Sequence, residues 1–153
     1  MDIVRIYDND ARSSISRTVL EALTEWFEVE ESREAYIKES ADMIFFCAYD
    51  DGRPVGFVYL KPTGKDTVEL AVMGVLKEYH RSGVGRALFS AVRAAAFDKG
   101  YSFLQVKTVK MGVYEDYDRT NRFYKAVGFK EFEVFPTLWD EANPCQIYIM
   151  ALR

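Results

Sequence analysis

The most restrictive feature of this chain is a change of hydrophobic period near residue 80. Thr67 to Leu76 alternates like a strand, whereas Val84, Leu88, Ala91, Val92 and Ala95 recur at three and four residues with Arg86 and Arg93 on the opposite side. A strand therefore passes into a helix of roughly four turns through Tyr79-His80-Arg81-Ser82-Gly83-Val84-Gly85, and Lys99-Gly100 ends that helix with a cationic last turn and a glycine cap. Glycines at 83 and 85 remove side chains where the helix begins. Successive backbone N–H groups can then close on an anion, helped by the positive end of the helix dipole. Lys77, Arg81, Arg86, Arg93 and Lys99 outnumber Glu78 and Asp98 over the same stretch, so its charge suits a phosphate or pyrophosphate. A tight turn with close helix packing accounts for the glycines equally well. A P-loop would need Gly-Lys-Ser/Thr after a longer glycine loop, and a dinucleotide fingerprint a third glycine and repeated βαβ units; neither pattern is present.

Around this turn the chain alternates strands and helices. Asp2 to Tyr7 reads as a strand, and Asn9 or Asp10 is placed to cap a helix running to about Phe27. A second, acidic helix follows over Ser32 to Ser40. Met43 to Tyr49 and Val55 to Leu60 form a hairpin across Asp50-Asp51-Gly52-Arg53, whose Asp-Gly pair supplies the positive φ of a tight turn. Pro62 to Asp66 makes the next turn. After the central helix come a strand at Tyr101 to Val109, a shorter helix from Asp118 to Val127 stopped by Gly128, and closing strands at Glu131 to Phe135 and Gln146 to Leu152. The order β-α-α-β-β-β-α-β-α-β-β predicts an α/β (α+β) fold: a mixed, mostly antiparallel central sheet of about seven strands with helices on both faces. The 153 residues, 49% apolar and 15% aromatic, suit one domain spanning 1–153 around a single core.

Composition narrows the partners. Twenty-four acids against twenty bases leave a net charge of −4, the wrong sign for holding nucleic acid by its phosphates. No run approaches the roughly 18 apolar residues of a membrane span, and the start carries no basic segment followed by an apolar stretch, so a cytoplasmic protein without membrane contact is expected. Cys47 and Cys145 have no metal-ligand spacing and His80 is the single histidine, so no metal site is expected. Each cysteine reads as a small buried hydrophobe.

The turn His80-Arg81-Ser82-Gly83-Val84-Gly85 resembles the Gln/Arg-x-x-Gly-x-Gly/Ala acyl-CoA motif of the GNAT acetyltransferases, with histidine where Gln or Arg is usual and Arg81 following at once. Upstream, Met73-Gly74-Val75-Leu76-Lys77 stands where the family often has Leu-x-Val-x-Pro, with lysine replacing proline. Downstream, Phe123-Tyr124-Lys125-Ala126-Val127-Gly128-Phe129 matches Phe-Tyr-x-x-x-Gly-Phe in full. The resemblance covers nearly the whole chain and points to a small bacterial-type branch. It implies the GNAT acyl-CoA N-acyltransferase fold and acetyl-CoA (CoA) as the cofactor. Met73 and Val75 would pair with pantetheine like an added strand, while Arg81, Ser82, Gly83, Val84, Gly85, Arg86 and Ala87 would hold the cofactor at the turn, with Asn121 a weaker contact. Tyr124 would hydrogen-bond or protonate the departing thiolate.

The implied enzyme is an N-acetyltransferase moving an acetyl group from acetyl-CoA to a primary amine of a small molecule or peptide by direct attack. Such a reaction needs a neutral amine, an oxyanion donor and a proton for the thiolate. Val75 N–H would be the oxyanion donor. Glu69, fourteen residues before Gly83, stands where the histone-acetyltransferase branch carries its general-base glutamate; Glu115, Asp116 and Asp118 are alternatives, and Glu69 reads equally as a solvent-facing strand residue. The acceptor would lie between the first two helices, carrying Glu21, Glu25, Glu28, Glu30, Glu31 and Glu34 with Trp26, Phe27 and Tyr36, and the last loop, carrying Trp139, Asp140 and Glu141. Acids attract a cationic amine and Trp26 and Trp139 can hold it by cation-π contact, though a solvated helix face gives the same pattern. A non-catalytic acyl-CoA-binding sensor or interaction module remains the alternative, and a homodimer stays open.

Overall fold

In a computed structural model describing residues 1–153, the elements are β1 (Asp2–Arg5), α1 (Asn9–Glu21), α2 (Glu30–Ser40), β2 (Ile44–Asp50), β3 (Arg53–Pro62), β4 (Thr67–Val75), a 3-10 turn (Lys77–Tyr79), α3 (Val84–Asp98), β5 (Phe103–Val109), α4 (Glu115–Ala126), β6 (Lys130–Asp140) and β7 (Asn143–Ala151). They build one seven-stranded sheet in the order β1-β2-β3-β4-β5-β7-β6. Every neighbouring pair is antiparallel except β4 and β5, which α3 connects as a crossover.

Two glycines show which helix covers which face. A Cβ on Gly74 would meet Val19 and Leu23 at 3.1 Å, whereas one on Gly56 would meet Leu88 at 3.2 Å. The α1 side and the α3 side of the sheet are therefore opposite faces, and both helices approach closely enough that a Cβ would have to push a neighbouring side chain aside. Between the layers lie fully buried Phe45, Phe57 and Tyr59, stacked with centroids 5.3 to 6.5 Å apart. Truncating Phe57 to alanine should cost about 3–5 kcal/mol, the transfer term plus the cavity.

Several boundaries differ from the sequence reading, for local reasons. Helix α1 is capped by Asp8, whose carboxylate accepts from Ala11 N–H at 2.8 Å, and not by the expected Asn9 or Asp10. It also stops at Glu21 instead of Phe27: turn bonds from Trp26 and Phe27 to the Leu23 carbonyl (3.1 and 3.0 Å) fold the chain back. This turn sends Leu23 into the core and Trp26 toward residue 80. Strand β6 runs to Asp140, well past Phe135, and β7 begins at Asn143. Pro136 lies on an edge strand and Pro144 near a strand's start, where a missing N–H costs no ladder bond.

Helix α2 buries only Ile37 and Ser40. Polar ties hold it instead. Arg12 donates to the carbonyls of Ile6 and Ala41, both at 2.8 Å, and the buried Ser16 and Ser40 hydroxyls lie 2.8 Å apart.

Candidate functional site

Two backbone features define the site. The first is the start of α3. Gly83 is its N-cap at φ +89°, preceded by Arg81 at φ +63°, and no side chain caps the helix. Ala87 N–H is the earliest amide already bonded, to the Gly83 carbonyl at 3.0 Å; those of Gly83, Val84, Gly85 and Arg86 have no protein partner. Ala87 thus has no N–H to offer. Nothing lies within 4 Å of where a Gly83 Cβ would sit, while Gly85 faces the Phe123 ring at 3.5 Å. Consecutive free donors, an open approach, no acid in the first turn and exposed Arg81 and Arg86 suit an anion. The Ser82 hydroxyl is turned inward, donating to the Tyr79 carbonyl.

The second feature is an internal strand edge. Strands β4 and β5 pair only at Thr67–Phe103, Val68–Leu104 and Glu69–Gln105. A register shift against β3 at Leu70 and Ala71 marks where β4 bends away. Leu76 N–H bonds the Val55 carbonyl toward β3. By the two-residue period Val75 and Met73 therefore present their backbone groups to the open side. The Val75 carbonyl does receive one partner: His80 Nε2 lies 2.7 Å from it.

Tyr124 reaches this region from α4. Its side chain is buried, and burial, with Tyr117 and the Glu69 charge adding to it, pushes the phenol well above its usual range. The hydroxyl bonds to no protein group, yet it is not sealed from solvent. It is a protonated phenol whose hydroxyl is not committed to any partner within the protein. Asn121, one turn earlier, is different: wholly buried, it donates to the carbonyls of Val109 and Tyr117 (2.8 and 2.7 Å) and accepts from Tyr148 at 2.6 Å. Those bonds fasten α4 to β5 and β7 and leave its amide nothing to donate to a cofactor.

On the α1–α2 face, acids and lysines alternate across the strands. Glu39 of α2 accepts from Tyr59 and Lys61, both at 2.9 Å; Lys61 lies opposite Glu69; Glu69 accepts from Lys107 at 3.2 Å. Glu69 is largely buried, not the solvent-facing residue that strand alternation equally allowed. The first-wall acids are partly compensated, Glu21 and Glu34 by Arg17 at 3.0 and 2.9 Å, and Glu25 by Lys77. Trp26 is half-buried and fastened: its ring meets His80 edge-on at 5.5 Å and its carbonyl accepts from Tyr117 at 2.8 Å. Trp139 stands 47% exposed near the β6–β7 turn, with no ring contact to Trp26. Lys107, Tyr117 and Glu39 had no distinguishing motif in the sequence; only strand pairing and helix docking bring them here.

The profile of the acetyltransferase (GNAT) family matches residues 11–129. An uncharacterised N-acetyltransferase of Mycobacterium tuberculosis is 37% identical over 83 residues, 54% of this chain and 50% of that protein; the chain thus aligns with about half the length of this relative. Among solved structures, a GNAT-family protein from Desulfovibrio desulfuricans superposes with a TM-score of 0.84 at 23% identity, covering 99% of both chains. An aminoglycoside 6'-N-acetyltransferase complexed with coenzyme A superposes at 0.78 with 19% identity, covering 100% of this chain and 98% of the other. At these identities the structural likeness is one of fold. The profile match, spanning most of the sequence and both motifs, places the chain in the GNAT acetyltransferase family.

Proposed function

We propose that residues 1–153 form one catalytic domain, an N-acetyltransferase that moves an acetyl group from acetyl-CoA to a primary amine of a small molecule or peptide. The observation that carries this reading is the run of unpaired N–H groups from Gly83 to Arg86 next to the unpaired edge of β4. Membership of the family and a CoA-bound neighbour of the same fold support acetyl-CoA as the cofactor.

Bound acetyl-CoA supplies an activated thioester; the chain's own residues do the rest. Gly83 to Arg86 N–H groups, with Arg81 and Arg86, bind the pyrophosphate, and Met73 takes a pantetheine amide in strand fashion. Val75 N–H donates to the thioester carbonyl oxygen. Glu69 receives the proton of the acceptor amine, with Lys107 beside its carboxylate. Tyr124, kept protonated by its burial, donates from its hydroxyl to the leaving sulfur. Direct attack uses no protein nucleophile, which agrees with two buried cysteines whose thiols burial pushes up, Cys47 to about 12 and Cys145 to about 11.

Titration with acetyl-CoA tests the first half: saturable binding and thermal stabilisation are expected, and their absence removes the assignment. Thiol release across a panel of amines tests the second. Tight cofactor binding with silence on every amine would favour a non-catalytic acyl-CoA-binding module.

A further inference from the structure

The single histidine occupies the first motif position, and its contacts give it a task. The peptide joining Val75 to Leu76 is held from both sides: its N–H bonds the Val55 carbonyl at 2.9 Å and its carbonyl lies 2.7 Å from His80 Nε2. A carbonyl only accepts, so Nε2 carries the hydrogen. The imidazole is itself placed by a backbone bond from His80 N–H to the Lys77 carbonyl at 3.0 Å and by the edge of Trp26, whose carbonyl is tied to Tyr117 of α4. Beyond Glu69 no strand pairs with this side of β4, so His80 is the one protein group seen to hold the Val75 carbonyl.

We infer that His80 is a positioning residue: its Nε2–H clamp on the Val75 carbonyl fixes the open end of β4 so that Val75 N–H meets an acyl thioester. This rests on the proposed use of Val75 as the thioester donor. A peptide held on one side can rock about Val75, and the adjacent N–H rocks with it; held on both sides, it is set before ligand arrives. Pre-organised donors are stronger than donors that must be ordered on binding.

The test compares acetyl-CoA with CoA, which lacks the carbonyl in question, by calorimetric titration of the parent, His80→Phe and His80→Gln proteins. Phenylalanine keeps a ring against Trp26 without the donor, whereas glutamine keeps a side-chain N–H. In His80→Phe, affinity for acetyl-CoA should fall about fivefold relative to CoA, the scale of one neutral hydrogen bond. His80→Gln should retain the parent's ratio. An unchanged ratio in His80→Phe, or an equal loss in His80→Gln, overturns the inference while leaving the acetyltransferase reading standing. A parent that binds neither ligand removes both.

Discussion

Tyr124 is the residue at which sequence and structure make the same demand. Its motif marked it, and the fold gives it a hydroxyl with no protein partner and a phenol held protonated by burial. Tyr124→Phe should therefore bind acetyl-CoA like the parent while turnover falls roughly 100-fold, within the range of general acid catalysis. Because no internal bond is lost, the melting temperature should barely move; a structural tyrosine would instead cost about 1–3 kcal/mol of stability with normal turnover. Glu69→Gln should also lower turnover by about 100-fold with cofactor binding retained, and full activity in that variant would remove Glu69 as the base. Side-chain direction is what the sequence withheld. Asn121 sits on the same helix as Tyr124, but whether an amide turns inward depends on neighbours contributed by β5 and β7. Lys107 and Tyr117 were unreadable for a similar reason: each matters through a partner 38 or 91 residues away.

Among the elements, the passage from β4 into α3 was the most legible, because a switch of period, two glycines and local positive charge coincide there. Gly83→Val forces a branched residue to φ +89°, a conformation costing L-residues about 1–2 kcal/mol. It also puts methyl groups into the open approach to this turn. Gly85→Val presses a branched side chain toward Phe123, 3.5 Å from an ideal Cβ. Both variants should fold with a modestly lowered melting temperature and show no CoA binding by calorimetry. Normal binding by either folded variant would place the phosphate elsewhere. Element ends were less legible than element types. The early stop of α1 is set by Leu23 meeting Gly74 and by turn bonds to the Leu23 carbonyl, none of which leaves a helix-stop residue in the sequence.

At the scale of the whole molecule, the alternation of periods was enough to give the number of strands, the hairpins and the single crossover, because each is a local pattern. The widening between β4 and β5 was not, since it arises from a register shift against a third strand. Burial also sets how the molecule answers to base. It pushes Cys47 and Tyr148 up to about 12 and Cys145 to about 11. An unfolded chain releases such protons near about 8.5 for thiols and about 10 for phenols. The folded state then binds more protons than the unfolded one, so stability is complete below about pH 8.5 and declines as pH rises toward 12. The urea midpoint should fall between pH 8 and pH 10.5, and a constant midpoint would contradict the burial of these groups.

The gap beside β4 has one more consequence, for aggregation. A row of unpaired peptide groups is ordinarily a template on which a foreign strand can grow. The two outer edges of this sheet are blunted, β1 by having four residues and β6 by Lys130, Glu131, Glu133 and Pro136. The third edge is internal, with β5 across from it and helices on both faces of the sheet. An added β-strand needs room for side chains on alternate faces; a slender chain with few side groups needs much less. The molecule should thus keep a strand permanently open to a ligand without exposing it to another polypeptide, and should remain dispersed even when it is empty.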